Sequence, residues 1–502
     1  MQLVTPMRKG QPVMRFPLDP FTSAVELAAA IRRKEMSPLE VVDCYLERID
    51  ELDPRLNAFS HRADDDVRKA AWAATNALAG SNRTSDLPPF HGVPLPIKDL
   101  LDVAGWPTSH GSAATSTAPA QTSDPVVKRF VDAGFVLLGK TTTSEFGALP
   151  FTESKALGIS RNPWDLNRTP GGSSSGAGVA VAAGMAPIAH GADGGASIRV
   201  PASCNGLVGL KPTRGLITNR TIDLEGLATS GVLTRSVADT AAALDVLARH
   251  DAAAWWSAPR SHESFVGAVD SDPPSRLRVG FLVQSPLDGI AVDPACTVAT
   301  LGVVSTLESL GNLVVDTHLA LPPPGELIAA FSTIWNLGGA GIELTHPDRV
   351  EPHNQALREA ARHIDSWDYA ERLRETQRVS RAIVEGFLTT VDILVTPTMA
   401  CLPPPIGAWQ AGTDHDPLMA LVNSYPMAVF TSLFNVTGQP AISVPVHHDE
   451  TTGLPVGVQL IAAPWREDLL LQLARALEFE RPWKRRRPAL ADDVVTVAPL
   501  AS

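Results

Sequence analysis

Along the first eighty residues apolar side chains recur at spacings of three and four. From Pro88 they gather instead into short runs separated by helical stretches. The first texture predicts helices. One, over 24–34, is capped by Thr22 or Ser23. A second is opened by Ser37-Pro38, faced by Val42, Tyr45, Leu46 and Ile49, and stopped at Asp53-Pro54; a third covers 66–78. The second texture predicts buried strands at 93–97, 135–139, 277–283, 313–317, 393–395, 441–446 and 456–461. Helices are expected between them at 124–132, 177–185, 293–310, 355–388 and 466–479, and one running from Ser236 to Ala248. Strands alternating with helices imply an α/β fold.

One stretch fits neither texture. Residues 171–199 read GGSSSGAGVAVAAGMAPIAHGADGGASIR, two serine–glycine clusters joined by small residues. Glycine-rich loops let main-chain N–H groups approach a reacting atom, and a serine held there can act as a nucleophile facing an oxyanion hole. No base lies nearby in sequence. Upstream, in HGVPLPIKDLLDV, Lys98 is the one cation of an apolar run, which suggests acyl transfer with lysine as base. Tight helix–sheet packing alone would account for Gly176, Gly178 and Gly184 but not for two serine clusters. Asp193 and Arg199 are spaced to close an ion pair around Ser197. GSSSG at 172–176 also fits the G-x-S-x-G elbow of α/β-hydrolases, with Ser174 as nucleophile. That elbow should follow a strand, whereas NPWDLNRTPG precedes it, and its histidine would come from His346, His353, His363, His415, His447 or His448. Gly171 and Gly176 have Walker-A spacing, but Ala177-Gly178 stands where Lys-Ser/Thr is required, and HExxH is absent.

Composition narrows the classes further. The 502 residues are 44% hydrophobic and 19% charged, as in a globular protein with a sizeable core. A net charge of −12 argues against a nucleic-acid surface. The basic run Lys484–Arg487 is read as a solvated helix end. Cys44, Cys204, Cys296 and Cys401 are scattered without CxxC, so neither a zinc site nor a disulfide framework is expected, and reduced thiols suit the cytoplasm. The N-terminus has no signal-like apolar region, and residues 177–189, the most apolar stretch, are too short to span a bilayer. Length alone allows about three domains. With no repeat or linker, a single domain over 20–483 is expected, flanked by tails 1–19 and 484–502. Its core motifs fall in 88–215 and its variable half in 250–430.

Together these motifs resemble the amidase signature family. GGSSSG at 171–176, the segment from Asp193 to Ala202 (DGGASIRVPA), GLKPT at 209–213 and GVPLPIKD at 92–99 match its fingerprint. Asn57-Ala-Phe, Glu145-Phe-Gly, Asn162-Pro-Trp and the GQPAISVP beginning at Gly438 match further landmarks, so the likeness spans about residues 20–480. The resemblance implies a large mixed, twisted sheet covered by helices on both faces. It also implies a Ser–cis-Ser–Lys triad: Ser197 as acyl-forming nucleophile, Ser173 as bridging residue after a cis Gly172–Ser173 bond, and Lys98 as base. Backbone N–H groups of Gly194, Gly195 and Ala196 would meet the oxyanion, with Ser174, Asp193 and Arg199 supporting the loop. Ala196 replaces a usual glycine. No metal or cofactor is expected.

Members cleave aliphatic and aryl amides, peptide amides, cyclic oligoamides and carbamates, often with esterase side activity. The expected partner is a small amide or carbamate bearing an apolar or aromatic group, with Trp255–Trp256 and residues 331–341 as pocket walls or else as ordinary core. No nucleic acid or membrane partner is expected; the oligomeric state is open, with a homodimer one candidate because symmetric dimers are common. One branch, the amidase subunit of a tRNA-dependent amidotransferase, usually carries Gln where Val200 stands. A catalytically dead scaffold is disfavoured because all three triad positions are filled.

Overall fold

The strands Ala441–His448 and Pro455–Ala462 pair antiparallel and are buried for most of their length. Their side chains alternate between two cores. Ile442, Val444, Val458 and Leu460 join a large cluster with Leu470, Leu473 and Val303, whereas Ala441 and Ile461 pack with Phe387 and Phe434. A sheet buried on both faces needs helices on both. Pro294–Ser309, Glu467–Glu480 and Val237–Leu247 cover one face, and Ser366–Thr390, Leu433–Thr437 and Arg199–Asn205 the other.

The computed structural model describes residues 18–492 except 82, 221–222, 259–263, 316, 318–320 and 340. Its main sheet has eight strands in the order Leu313–Val314, Arg278–Phe281, Ile393–Pro397, Pro455–Ala462, Ala441–His448, Val208–Lys211, Thr229–Thr234, Ile188–Asp193. The first three run parallel and the remaining pairings are antiparallel, so the sheet is mixed. A smaller sheet places Val136–Thr141 between Phe59–His61 and Pro94–Lys98. The last of these abuts the edge strand Ile188–Asp193, and there Lys98 N–H donates to His190 Nδ1 at 3.3 Å. The junction of the two sheets carries the site.

Several elements differ from expectation for local reasons. The second helix, Pro38–Leu56, passes through Pro54 and ends at Asn57 in the left-handed conformation (φ 53°), because a proline so near the end forfeits a single intrahelical bond. Asp53 Oδ1 then turns the chain by accepting from Ala58 N at 2.6 Å. The long helix expected over 355–388 is two, Pro352–Arg362 and Ser366–Thr390, the latter restarted by Asp365 capping Asp368 N. Ile188–Asp193, Val208–Lys211 and Thr229–Thr234 were not foreseen, since IAHGAD, VGLK and TSGVLT interrupt their apolar residues with glycine and polar groups.

Residues 484–491, expected as part of a tail, pack onto the body instead. Leu490 and Ala491 are buried, Arg48 Nη2 donates to Ala491 O at 2.8 Å, and Arg235 Nη2 donates to the carbonyls of Lys484 and Arg486. The basic run is not a helix end either, as the preceding helix stops at Glu480. Arg487 pairs with Asp19 at 2.6 Å and lies 4.3 Å over the Phe21 ring. Residues 1–17 of the expected leader and 493–502 of the tail lie outside the described residues. No helix among the described residues is long and apolar enough to cross a membrane.

Candidate active site

Three segments meet at the sheet junction. Lys98 ends the wholly buried strand Pro94–Lys98. Its neighbour Asp99 is pinned by Lys140 Nζ at 2.7 Å and Ser109 Oγ at 2.5 Å, which fixes where that strand stops. Ser173 and Ser174 lie in the loop that opens the helix Ser175–Ala182. Gly171 takes φ 73°, and a Cβ there would come within 2.9 Å of Cys204 Sγ, so the loop packs against the helix Arg199–Asn205 only because no side chain intervenes. The Gly172–Ser173 peptide is cis. Ser197 sits in the turn between the strand Ile188–Asp193 and that same helix.

Asp193 and Arg199, both fully buried, close this turn with contacts of 2.9 and 3.0 Å. Asp193 Oδ2 also accepts from the N–H of Ile198 at 3.1 Å. Arg199 donates further to Thr431 O, Gln459 Oε1 and Asn435 Oδ1, and Asn435 Nδ2 returns to Asp193. Burial works to raise the Asp193 carboxyl, but the Arg199 guanidinium and Asn435 hold it well below the usual carboxylate range. A buried ion pair this fully hydrogen-bonded acts as a clamp on the turn.

Inside the clamp, Lys98 Nζ lies 2.8 Å from Ser173 Oγ, which lies 3.0 Å from Ser197 Oγ. Lys98 Nζ also donates to Ala192 O at 3.1 Å. All three side chains are 5% exposed or less. Burial pulls the Lys98 amine down to about 7, against Asp193, whose charge pulls the other way. His190, fully buried beside it, is held down at about 3 by burial and then by the lysine's charge. It is therefore neutral, with Nδ1 accepting from Lys98 N–H and Nε2 directed at Ser230 Oγ, 3.4 Å away. An amine that is half neutral near pH 7, two hydroxyls from an accessible face, can draw a proton along the line and return it.

Ser197, Gly195 and Ala196 open onto a pocket of about 120 Å³ whose lining, among the described residues, holds no carboxylate, amine or guanidinium. Leu149, Leu327, Val379, Leu421 and Val429 supply apolar wall, and Phe331 and Trp335 stack at 4.9 Å over the loop. A Cβ on Gly195 would come 2.9 Å from the Phe331 ring. Among the described residues nothing accepts a hydrogen bond from the N–H groups of Gly194, Gly195 or Ala196. Gly194 does not line the pocket; it lies beneath Leu224 and Trp335. Ala196 is not among the positive-φ residues, so its Cβ is accommodated without strain.

Lys98, Ser173, Ser197, Gly195 and Ala196 are thus brought together, braced by Asp193 and Arg199. Ser174 is fully buried, and its Oγ is engaged by the main chain of Ala192 at 3.3 Å in both directions, with no imidazole partner among the described residues. The elbow reading fails on that geometry and on the loop that precedes it. Trp255 and Trp256, expected as walls of the substrate pocket or as core, are 87% and 47% exposed and lie outside the pocket at Ser197, on a separate cleft. Asn435, Gln459 and His190 were missed because isolated polar residues give no signal until the fold places them.

The family model described as Amidase matches residues 40–471. A putative amidase of Synechocystis sp. is 36% identical over 91% of this chain and 88% of its own. The 6-aminohexanoate-cyclic-dimer hydrolase of Paenarthrobacter ureafaciens is 34% identical over 94% and 97%. A solved 6-aminohexanoate cyclic dimer hydrolase, complexed with substrate, superposes with a TM-score of 0.86 at 34% identity, covering 94% of this chain and all of its own. A bacterial aryl acylamidase of the amidase signature family does so at 0.82 and 25% identity, over 96% and 99%.

Proposed function

The chain belongs to the amidase family, hydrolases of carbon–nitrogen bonds, and on that footing we propose that it cleaves uncharged amides with an apolar or aryl group through an acyl-enzyme on Ser197. The observation that carries this reading is the unbroken line of 2.8 and 3.0 Å from Lys98 through Ser173 to Ser197, at the floor of a pocket that among the described residues is lined by no charged side chain. Neutral Lys98 accepts the Ser173 proton as Ser173 accepts that of Ser197. Ser197 Oγ adds to the carbonyl carbon, and the oxyanion is met by main-chain N–H groups of Gly195, Ala196 and Ser197. The relay reverses to protonate the departing nitrogen as the carbon–nitrogen bond breaks. Water, deprotonated along the same line, then releases the acid.

The pocket supports the substrate class. Placing a free carboxylate or ammonium there would desolvate it with no countercharge, whereas an aryl or alkyl group gains about 25 cal/mol for each Å² it buries. Carbamates (urethanes) and esters of the same shape present the same carbonyl and are the side substrates. The test is a panel of anilides, alkyl amides, carbamates and esters, each with a charged counterpart, assayed on the purified chain alone. Neutral aryl or alkyl amides are expected to turn over and Ser197→Ala to be inactive. Turnover that appears only with added partner subunits would favour the amidotransferase assembly, and a preference for charged amides would refute the substrate class.

A further inference from the structure

Behind the catalytic loop lies a second and larger cleft, of about 1260 Å³. Val436 lines both cavities, and Leu227, Leu327, Ile334 and Val379 pack with it into the apolar wall that separates them. Three guanidinium groups and two carboxylates, Glu225 and Glu385, reach the second cleft. Two of the guanidinium groups are matched: Arg220 stands 3.4 Å from Asp124 and 3.7 Å from Asp102, and Arg381 stands 2.8 Å from Glu385. Arg214 is not. Its Nε donates to Gly226 O and its Nη2 to Asn435 O and Val436 O, each at 2.7 Å, and among the described residues no carboxylate lies within ion-pair distance and nothing accepts from Nη1.

A guanidinium held only by neutral carbonyls in a half-buried seat keeps a charge with no carboxylate beside it. The seat is built for it. Gly226 and Gly438, at φ 86° and 73°, let the side chain lie where a Cβ would come within 3.1 and 3.0 Å of it. The same Cβ on Gly226 would come within 2.6 Å of the Trp256 ring, so ring and Arg214 side chain lie together beside one glycine. Ile334, Leu373 and Val384 add apolar wall.

We propose that this cleft binds a carboxylate carried on an apolar or aryl body, the anion meeting Arg214 and the body lying against Trp256, Ile334 and Leu373. The acid released by the hydrolase proposed above is such a ligand. Amide plus water gives a carboxylic acid, ionised at neutral pH, and an amine. The catalytic pocket offers that anion no cation; the second cleft does. The acid then acts back on the enzyme from a site the substrate does not occupy. This last step rests on the hydrolase reading, whereas the binding site itself does not.

The test is calorimetric titration of wild type and Ser197→Ala with benzoate, with benzamide as the neutral counterpart and inorganic phosphate as an anion lacking the apolar body. Benzoate is expected to bind saturably to both proteins, about tenfold or more tighter than benzamide or phosphate. Binding should weaken by at least about tenfold in Arg214→Met and in Trp256→Ala, the second leaving the Arg214 bonds intact. Benzoate should inhibit anilide hydrolysis noncompetitively. Trp256→Ala binding benzoate as wild type does, purely competitive inhibition, or phosphate binding as tightly as benzoate would overturn the proposal. Binding that depends on Arg214 and Trp256 in an enzyme without amide turnover keeps the site and removes the hydrolase reading.

Discussion

On the proposed mechanism the acid limb of the pH–rate profile should report the state of Lys98. With its amine at about 7, half of it is neutral at pH 7. The neutral fraction then falls about tenfold for each pH unit below that. At the ordinary value of 10.5, roughly one molecule in three thousand would be neutral at pH 7, so burial raises the competent fraction about a thousandfold. For anilide hydrolysis, kcat/KM is expected to climb with unit slope to a midpoint near 7. Lys98→Met should lower it by ~10²–10⁴-fold and abolish that limb.

Stability supplies an independent reading. The folded amine titrates below the unfolded one, so between pH 7 and 10.5 the unfolded chain holds more protons and stability rises with pH. The difference between about 7 and 10.5 corresponds to about 5 kcal/mol. Denaturant titrations should therefore show Lys98→Met gaining on wild type by up to that amount below pH 7, the advantage fading toward pH 10.5. A flat kcat/KM between pH 5 and 8 would refute the argument. So would the same limb surviving in the residual activity of Lys98→Met, which would pass it to Lys211 or Glu351, both also near 7.

Ser197→Ala should lose all turnover and fail to gain mass from a fluorophosphonate that labels wild type, while its melting temperature stays within about 2 °C. Ala196→Gly should leave kcat/KM within about threefold, because the backbone there needs no glycine and the N–H is retained; a larger change in steady-state kinetics would show that Ala196 shapes the oxyanion hole. Gly195→Ala should displace Phe331, against which its Cβ would stand at 2.9 Å, and raise KM for bulky anilides more than for small amides. Arg199→Met should cost about 3–5 kcal/mol in a denaturant titration by leaving Asp193 charged and buried alone, and Arg199→Lys should recover little of it, since an ammonium cannot reach the same spread of acceptors.

Much of the chemistry was legible in the order of residues. Glycines let main chain approach a reacting atom, and the serine–glycine runs of 171–176 and 194–197 stand out in a single sequence. The loops holding Ser173 and Ser197 were visible in that way, and Lys98 as the one cation of an apolar run; capping residues marked the helices opened by Ser23 and Ser37, and apolar runs the strands on the far side of the main sheet. The strands next to the loop were not, because Ile188–Asp193, Val208–Lys211 and Thr229–Thr234 spend their positions on close approach and hydrogen bonding instead of apolar alternation.

What the sequence by itself determined is the set of reactive groups and the loops able to present them, since both depend on neighbours along the chain. Only the tertiary structure decided the remainder. It buried an amine contributed by one sheet against hydroxyls carried beside another. It drew Asn435 and Gln459 across more than two hundred residues to hold Arg199, walled the pocket with Phe331 and Trp335, and left Trp256 beside an unmatched Arg214. Desolvation and charge balance arise from whatever packs around a group, and that surrounding is assembled from segments far apart in the chain.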